Sequence, residues 1–178
     1  SVSFAYLVYS SSYIKLHEPA VFCAALLNAQ PMGFWSPHTL VRDARRHGVV
    51  VRTPDINASG HESTLEVCSD SETGLAVRLG VGSVRGIGSE LAREIATHRP
   101  YTSIEELVAR VPALSRKQVE ALATAGAFTD SFGDDRRHAL WEAGAHGHGD
   151  VAHLQGILGL SSRPTLPGME PVEEAIAD

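Results

Sequence analysis

Two cysteines, Cys23 and Cys68, are all that the 178 residues contain. That is too few, too widely separated, for a disulfide framework or a thiolate zinc site, so buried free thiols in a reducing cytoplasm are expected. Long hydrophobic runs are missing too. The most apolar stretch, SVSFAYLVYS at the start, meets Lys15, His17 and Glu18 before it reaches the ~20 residues a membrane helix needs, and no span is expected. A basic leader, a small-residue cleavage site and an initiator methionine are also lacking, which reads as an internal start in a longer protein. Positive charge is not in excess: 15 Lys and Arg face 21 Asp and Glu, for a net charge of −6. The whole chain therefore cannot hold a polyanion by bulk charge, and any nucleic-acid contact has to be local. No Gly-Lys-Ser/Thr is present to make a Walker phosphate loop, and a dinucleotide fingerprint begun at Gly80 and Gly82 would place its third glycine at Arg85. Residue order supports no Ser/His/Asp or Cys/His catalytic set.

What remains is 43% hydrophobic and 20% charged, the composition of a soluble globular protein of one domain or two small ones. The charge is uneven. Residues 1–60 hold five basic and three acidic groups, residues 61–129 seven and nine, and residues 130–178 three and nine. The acidity collects in the tail, which leaves the first two segments free to present basic faces. That tail, with GAHGHGD, SSRPTLPG and EPVEEAIAD, has the glycine, proline and acid content of a linker or extension.

The expected fold is mainly α with a small β-sheet. Apolar residues from Phe4 to Leu26 recur at helical spacing, with Pro19 opening a second helix, and Cys23, Tyr6, Tyr9, Tyr13, Phe34 and Trp35 read as core. Ser36 and Pro37 start a third helix that ends at Gly48 after Arg45, Arg46 and His47. The β-branched run 49–51, then LEVCS and LAVRLGV around the turn DSETG, read as three strands. From Gly80, a glycine-punctuated turn feeds an amphipathic helix near a cap-competent Ser89. Ser103 with Glu106, and Ser115 later, open two more helices, the last ending at Gly126. The units at 80–96 and 104–125 read as weakly related copies of one helical pair, the second without glycines.

Gly86-Ile87-Gly88 is the most specific signal. Two glycines around one apolar residue let the backbone turn tightly while Ile87 plugs the turn into a core, as a helix-hairpin-helix requires. Amides of such a hairpin, with the positive end of the following helix, meet a phosphate; Arg85 and Arg93 flank the place and Ser89 adds a hydroxyl. An ordinary strand-to-helix turn is the plainer alternative. Arg42, Arg45, Arg46 and Arg52 form a second phosphate-facing candidate, weighed evenly against a solvated helix face. His138, His146, His148 and His153, near Asp134, Asp135 and Asp150, have metal-ligand spacing but lie among glycine and alanine without a rigid scaffold, and no metal is expected there.

The stretch from SVSFAYLVYSSSY to VVVRTPDINAS, then VRLGVGSVRGIG and SRKQVEALATAGAF, resembles the alpha subunit of bacterial C-family DNA polymerase III, and within it the error-prone ImuC-type paralogue of actinobacteria. The resemblance runs collinearly over residues 1 to about 145. It implies that residues 1–59 are the helical end of a fingers domain, 60–128 a tandem helix-hairpin-helix region and 129–178 an acidic extension. The family's catalytic carboxylates belong to a palm that nothing here matches, so this part is expected to position duplex primer-template DNA without transferring nucleotides. The resemblance further implies a parent polymerase that uses Mg2+ in translesion synthesis and damage-induced mutagenesis, aided by Y-family-like and RecA-like accessory proteins. Replicative relatives carry a Gln-initiated clamp peptide beyond the hairpins. The nearest counterpart begins at Gln155 and includes Leu158, but its glycines and lack of a terminal aromatic make it a poor fit for direct sliding-clamp binding. A non-catalytic DNA-binding or protein-adaptor module is the alternative.

Overall fold

The computed structural model describes residues 2–32 and 35–133. Helix α1 (Val2–His17) leads into α2 (Pro19–Asn28), whose first residue is a proline, a position where the missing N–H costs nothing. Helix α3 (Pro37–Arg46) is capped by Ser36, whose hydroxyl accepts from the Thr39 amide at 3.2 Å. Strands β1 (Val50–Arg52), β2 (Thr64–Val67) and β3 (Leu75–Arg78) form one sheet in the order β1-β3-β2. β1 runs parallel to β3, with Val51 opposite Val77, while β2 and β3 form an antiparallel hairpin with Leu65 opposite Val77. The central strand thus lies after Ser59 and its parallel neighbour before it. Four short helices follow: α4 (Ser89–Thr97), α5 (Ile104–Arg110), α6 (Arg116–Thr124) and α7 (Thr129–Phe132).

Two apolar clusters hold these elements. Ala20, Cys23 and Ala24 of α2 pack with Ala44, Val49, Val51 and Val77, which seats α2 and α3 on the sheet. Val84, Ile87, Ile95, Ile104, Leu107, Val111, Leu114 and Leu122 join Ile56, Tyr101 and Phe128 in the larger one. The loop 53–59 stitches the clusters together through polar contacts. Asp55, buried, accepts from the Asn57 and Ala58 amides and the Ser131 hydroxyl, while Arg99 donates to the carbonyls of Asn57, Ala58 and Ser59. On the sheet, Arg78 is buried and its charge is met by Glu66 at 2.9 Å and Asp130 at 3.1 Å.

Three expectations need correcting. Tyr6, Tyr9, Tyr13 and Trp35 are not core: Tyr6 is 71% and Trp35 61% exposed, and α1 has no buried residue. The apolar residues of α1 are spread around the helix rather than gathered on one face, and it packs on α2, so spacing alone could not say which of its residues would be covered. Phe34 lies outside the described residues, as do the histidines from His138 onward and the segment with Gln155 and Leu158. The first arm of the first hairpin is a single 3-10 turn, Val81–Ser83, rather than a helix. The reason is a close backbone approach: a Cβ at Gly80 would stand 2.4 Å from the Glu62 carbonyl carbon, and the Val81 and Gly82 amides donate to Gly60 and His61. Finally, Ser89 is the first residue of α4, and Gly88 holds the cap position instead.

Candidate nucleic-acid interface

The 84–88 turn is closed by one backbone hydrogen bond and leaves both of its glycines facing open space. The Ile87 amide donates to the Val84 carbonyl at 3.0 Å, closing the turn, and the Ile87 side chain is 5% exposed within the larger cluster. Gly86 has φ +87°, a left-handed conformation that an L side chain occupies at a cost of ~1–2 kcal/mol. A Cβ built at Gly86 or at Gly88 meets nothing within 4 Å. The outer side of the turn is open to an incoming group. No side chain caps α4, and the first turn of a helix has no acceptors of its own for its amides. Those amides, with the helix dipole behind them, suit a phosphate. Arg85, Ser89 and Arg93 are all exposed around the turn, as expected of its flanks, and Glu90 places a carboxylate in the same first turn.

A second turn repeats the first twenty-seven residues later. The Leu114 amide donates to the Val111 carbonyl at 3.0 Å, Leu114 is 8% exposed in the same cluster, and Ser115 stands where Gly88 stood. The buried Ala92 and Ile95 of α4 correspond to Val119 and Leu122 of α6. The chemistry at the two helix starts differs. Ser115 donates from both its amide and its hydroxyl to Gln118 Oε1 at 2.9 Å, and the following residues are Arg116, paired with Glu120 at 2.8 Å, and an exposed Lys117. Gln118 also reaches the first turn: its Nε2 donates to the Gly86 carbonyl at 2.9 Å. Lys117 and Gln118 escaped the sequence reading. The 27-residue spacing of Val-x-x-Ile-Gly and Val-x-x-Leu-Ser was the signal that could have found them.

The basic patch around α3 is divided. Arg42 and Arg46 are exposed, near an Asp43 that a hydrogen bond from Lys15 holds below the ordinary carboxylate range. Arg45 donates to the Val51 carbonyl at 3.2 Å and lines, together with Arg85, Ser83, His38 and Thr124, a groove of about 720 Å³. The structure therefore brings one arginine of each sequence-predicted group to a common groove. Arg52 is engaged elsewhere, bonded to Glu66 at 2.8 Å and directed at the Cys68 sulfur.

A family profile described as the helix-hairpin-helix motif matches residues 48–139. The chain belongs to that family. Its helix-hairpin-helix segment spans more than half of the residues and includes both turns. The whole chain is also similar to proteins named error-prone DNA polymerase: 53% identical over 182 residues to that of Mycolicibacterium paratuberculosis, 52% over 182 residues to that of Mycobacterium tuberculosis, and 44% over 189 residues to that of Burkholderia pseudomallei. Each comparison covers 100% of this chain but 16% or 17% of the relative, so the helix-hairpin-helix chain spans about a sixth of their length. Among the described residues no group of three His, Cys, Asp or Glu side chains could hold a metal ion, and no helix is long and apolar enough to cross a membrane.

Proposed function

We propose that this chain is the DNA-positioning part of an error-prone DNA polymerase, binding duplex primer-template through backbone phosphates at Arg85, Gly86, Gly88, Ser89 and Arg93, with Ile87 anchoring the turn. The observation that carries the reading is the open 84–88 turn, with uncapped helix amides and flanking arginines, in a chain whose full length aligns with error-prone DNA polymerases. Arg45, which lines the same groove as Arg85, and the exposed Arg42 and Arg46 extend the basic surface; Arg52 stays with Glu66. In this reading residues 1–59 end a fingers domain and residues 60–128 form the DNA-binding region. The parent enzyme is cytoplasmic and works in translesion synthesis with accessory mutagenesis proteins.

Nucleotide transfer belongs to residues outside this chain. A polymerase's Mg2+ would supply charge stabilisation to nucleotide transfer, and the described residues do not fit such a centre. The purified chain is therefore expected to extend no primer when given magnesium and all four nucleotides. The direct test is anisotropy with fluorescent duplexes of unrelated sequence over a salt series. Binding should be nearly sequence-independent, weaken as salt rises, and lose ~0.9 from the log–log slope in Arg85→Ala. Equal affinity of the parent chain and Arg85→Ala at every salt concentration would overturn the assignment of the turn.

A further inference from the structure

One uncharged side chain touches both turns. Gln118, in the first turn of α6, donates from Nε2 to the Gly86 carbonyl at 2.9 Å, and its Oε1 accepts from the Ser115 amide and hydroxyl, each at 2.9 Å. A single amide group thus ties the left-handed residue of the first turn to the cap of the second. Apolar packing between the two units is non-directional, whereas a hydrogen bond of this length fixes both separation and direction. The first arm is one 3-10 turn, so the two units are registered by their shared apolar cluster, and this bond adds a directional contact between the turns themselves.

We propose that Gln118 is a positioning residue that holds the two turns at a fixed spacing, so that the α4 amides of the first and Lys117 of the second engage phosphates of one duplex together. The proposal rests on the DNA-binding reading above. Two contacts on one rigid body act as a pair, since engaging the first brings the second to its target at high effective concentration. If the tie is cut, the turns lose that shared geometry and one of them disengages.

A neutral substitution isolates the effect. Gln118→Met keeps the length and charge of the side chain and removes both hydrogen-bonding ends. Gln118→Glu keeps an acceptor for Ser115 but has nothing to donate to Gly86. Each is measured in the full 178-residue chain by duplex binding over a salt series, alone and combined with Arg85→Ala or Lys117→Ala, with melting followed by circular dichroism. In the parent chain each of the two charge removals should lower the slope by ~0.9. Gln118→Met should lower it by ~0.9 or more without changing any charge. In both Gln118 variants one of the two charge removals should then have no further effect, because its turn has left the DNA. If Gln118→Met fails to fold, the silence of one charge removal in Gln118→Glu carries the test, since the added carboxylate shifts the slope but cannot silence a separate contact. An unchanged slope in a folded Gln118→Met, or two charge removals that still subtract fully in both variants, overturns the bridge while leaving DNA binding intact. If Arg85→Ala and Lys117→Ala leave the parent's slope unaltered, the DNA reading fails first and the bridge with it.

Discussion

Gly86 and Gly88 look equivalent in the sequence and are held for different reasons. Gly86 needs its positive φ, so Gly86→Ala should cost ~1 kcal/mol of stability in a thermal melt, whatever it does to binding. Gly88 has φ −74° and open space around it, so nothing in the fold demands a glycine there. Gly88→Ser is the sharper probe: the hydroxyl can cap α4, as Ser115 sits at the start of α6, and melting should stay level or rise. On the proposed DNA-binding reading the same hydroxyl would compete with a phosphate for those amides, and duplex affinity should fall about tenfold. Glu66 makes a second residue-level prediction. Hydrogen bonds from Arg78, and then from Arg52, hold its carboxyl below the ordinary value of 4.5. Its contribution is therefore complete above that value and is lost as pH falls through the lower, folded-state one. Glu66→Gln should melt lower at pH 7, by ~2 kcal/mol, and lose less stability than the parent as pH falls below the ordinary carboxylate range.

At the scale of elements, the two turns are one design with two chemistries. Ile87 and Leu114 both plug a turn into the larger cluster, so Ile87→Ala or Leu114→Ala should destabilise by ~2–4 kcal/mol in denaturant unfolding. The first unit presents uncapped amides, and the second a self-capped helix with Arg116 and Lys117 at its start. Cations at a helix N-terminus oppose the dipole; Arg116 is offset by its ion pair with Glu120, whereas Lys117 is exposed to solvent. Helix α1 behaves oppositely. Its apolar residues are exposed, so Phe4→Ser or Leu7→Ser should change the melting free energy by no more than ~0.5 kcal/mol, a result that core residues of the same type could not give.

For the molecule as a whole, a net charge of −6 makes any DNA contact a matter of placement. Helices α1 to α6, the three strands, the caps at Ser36 and Ser115, and the plug at Ile87 were legible because each is set by neighbours within a few positions: a proline at a first turn, a serine before a run, alternation in a strand; the short α7 was not. The repeat of the two helical units was legible for the same reason. Long-range facts were not. That β1 lies parallel beside β3, that Gly80 must yield to the 61–62 backbone, and that Arg52 turns to Glu66 depend on segments distant in the chain that meet after folding. The aromatic residues of α1 illustrate the limit most plainly, because apolar residues spread around a helix contain no information on what lies against them. The sequence by itself determined where the turns occur and that a glycine pair opens one of them. Tertiary packing alone decided that Arg45 and Arg85 share a groove and that Gln118 spans 32 positions to the Gly86 carbonyl, since both depend on distances between elements whose order in the chain leaves their arrangement open.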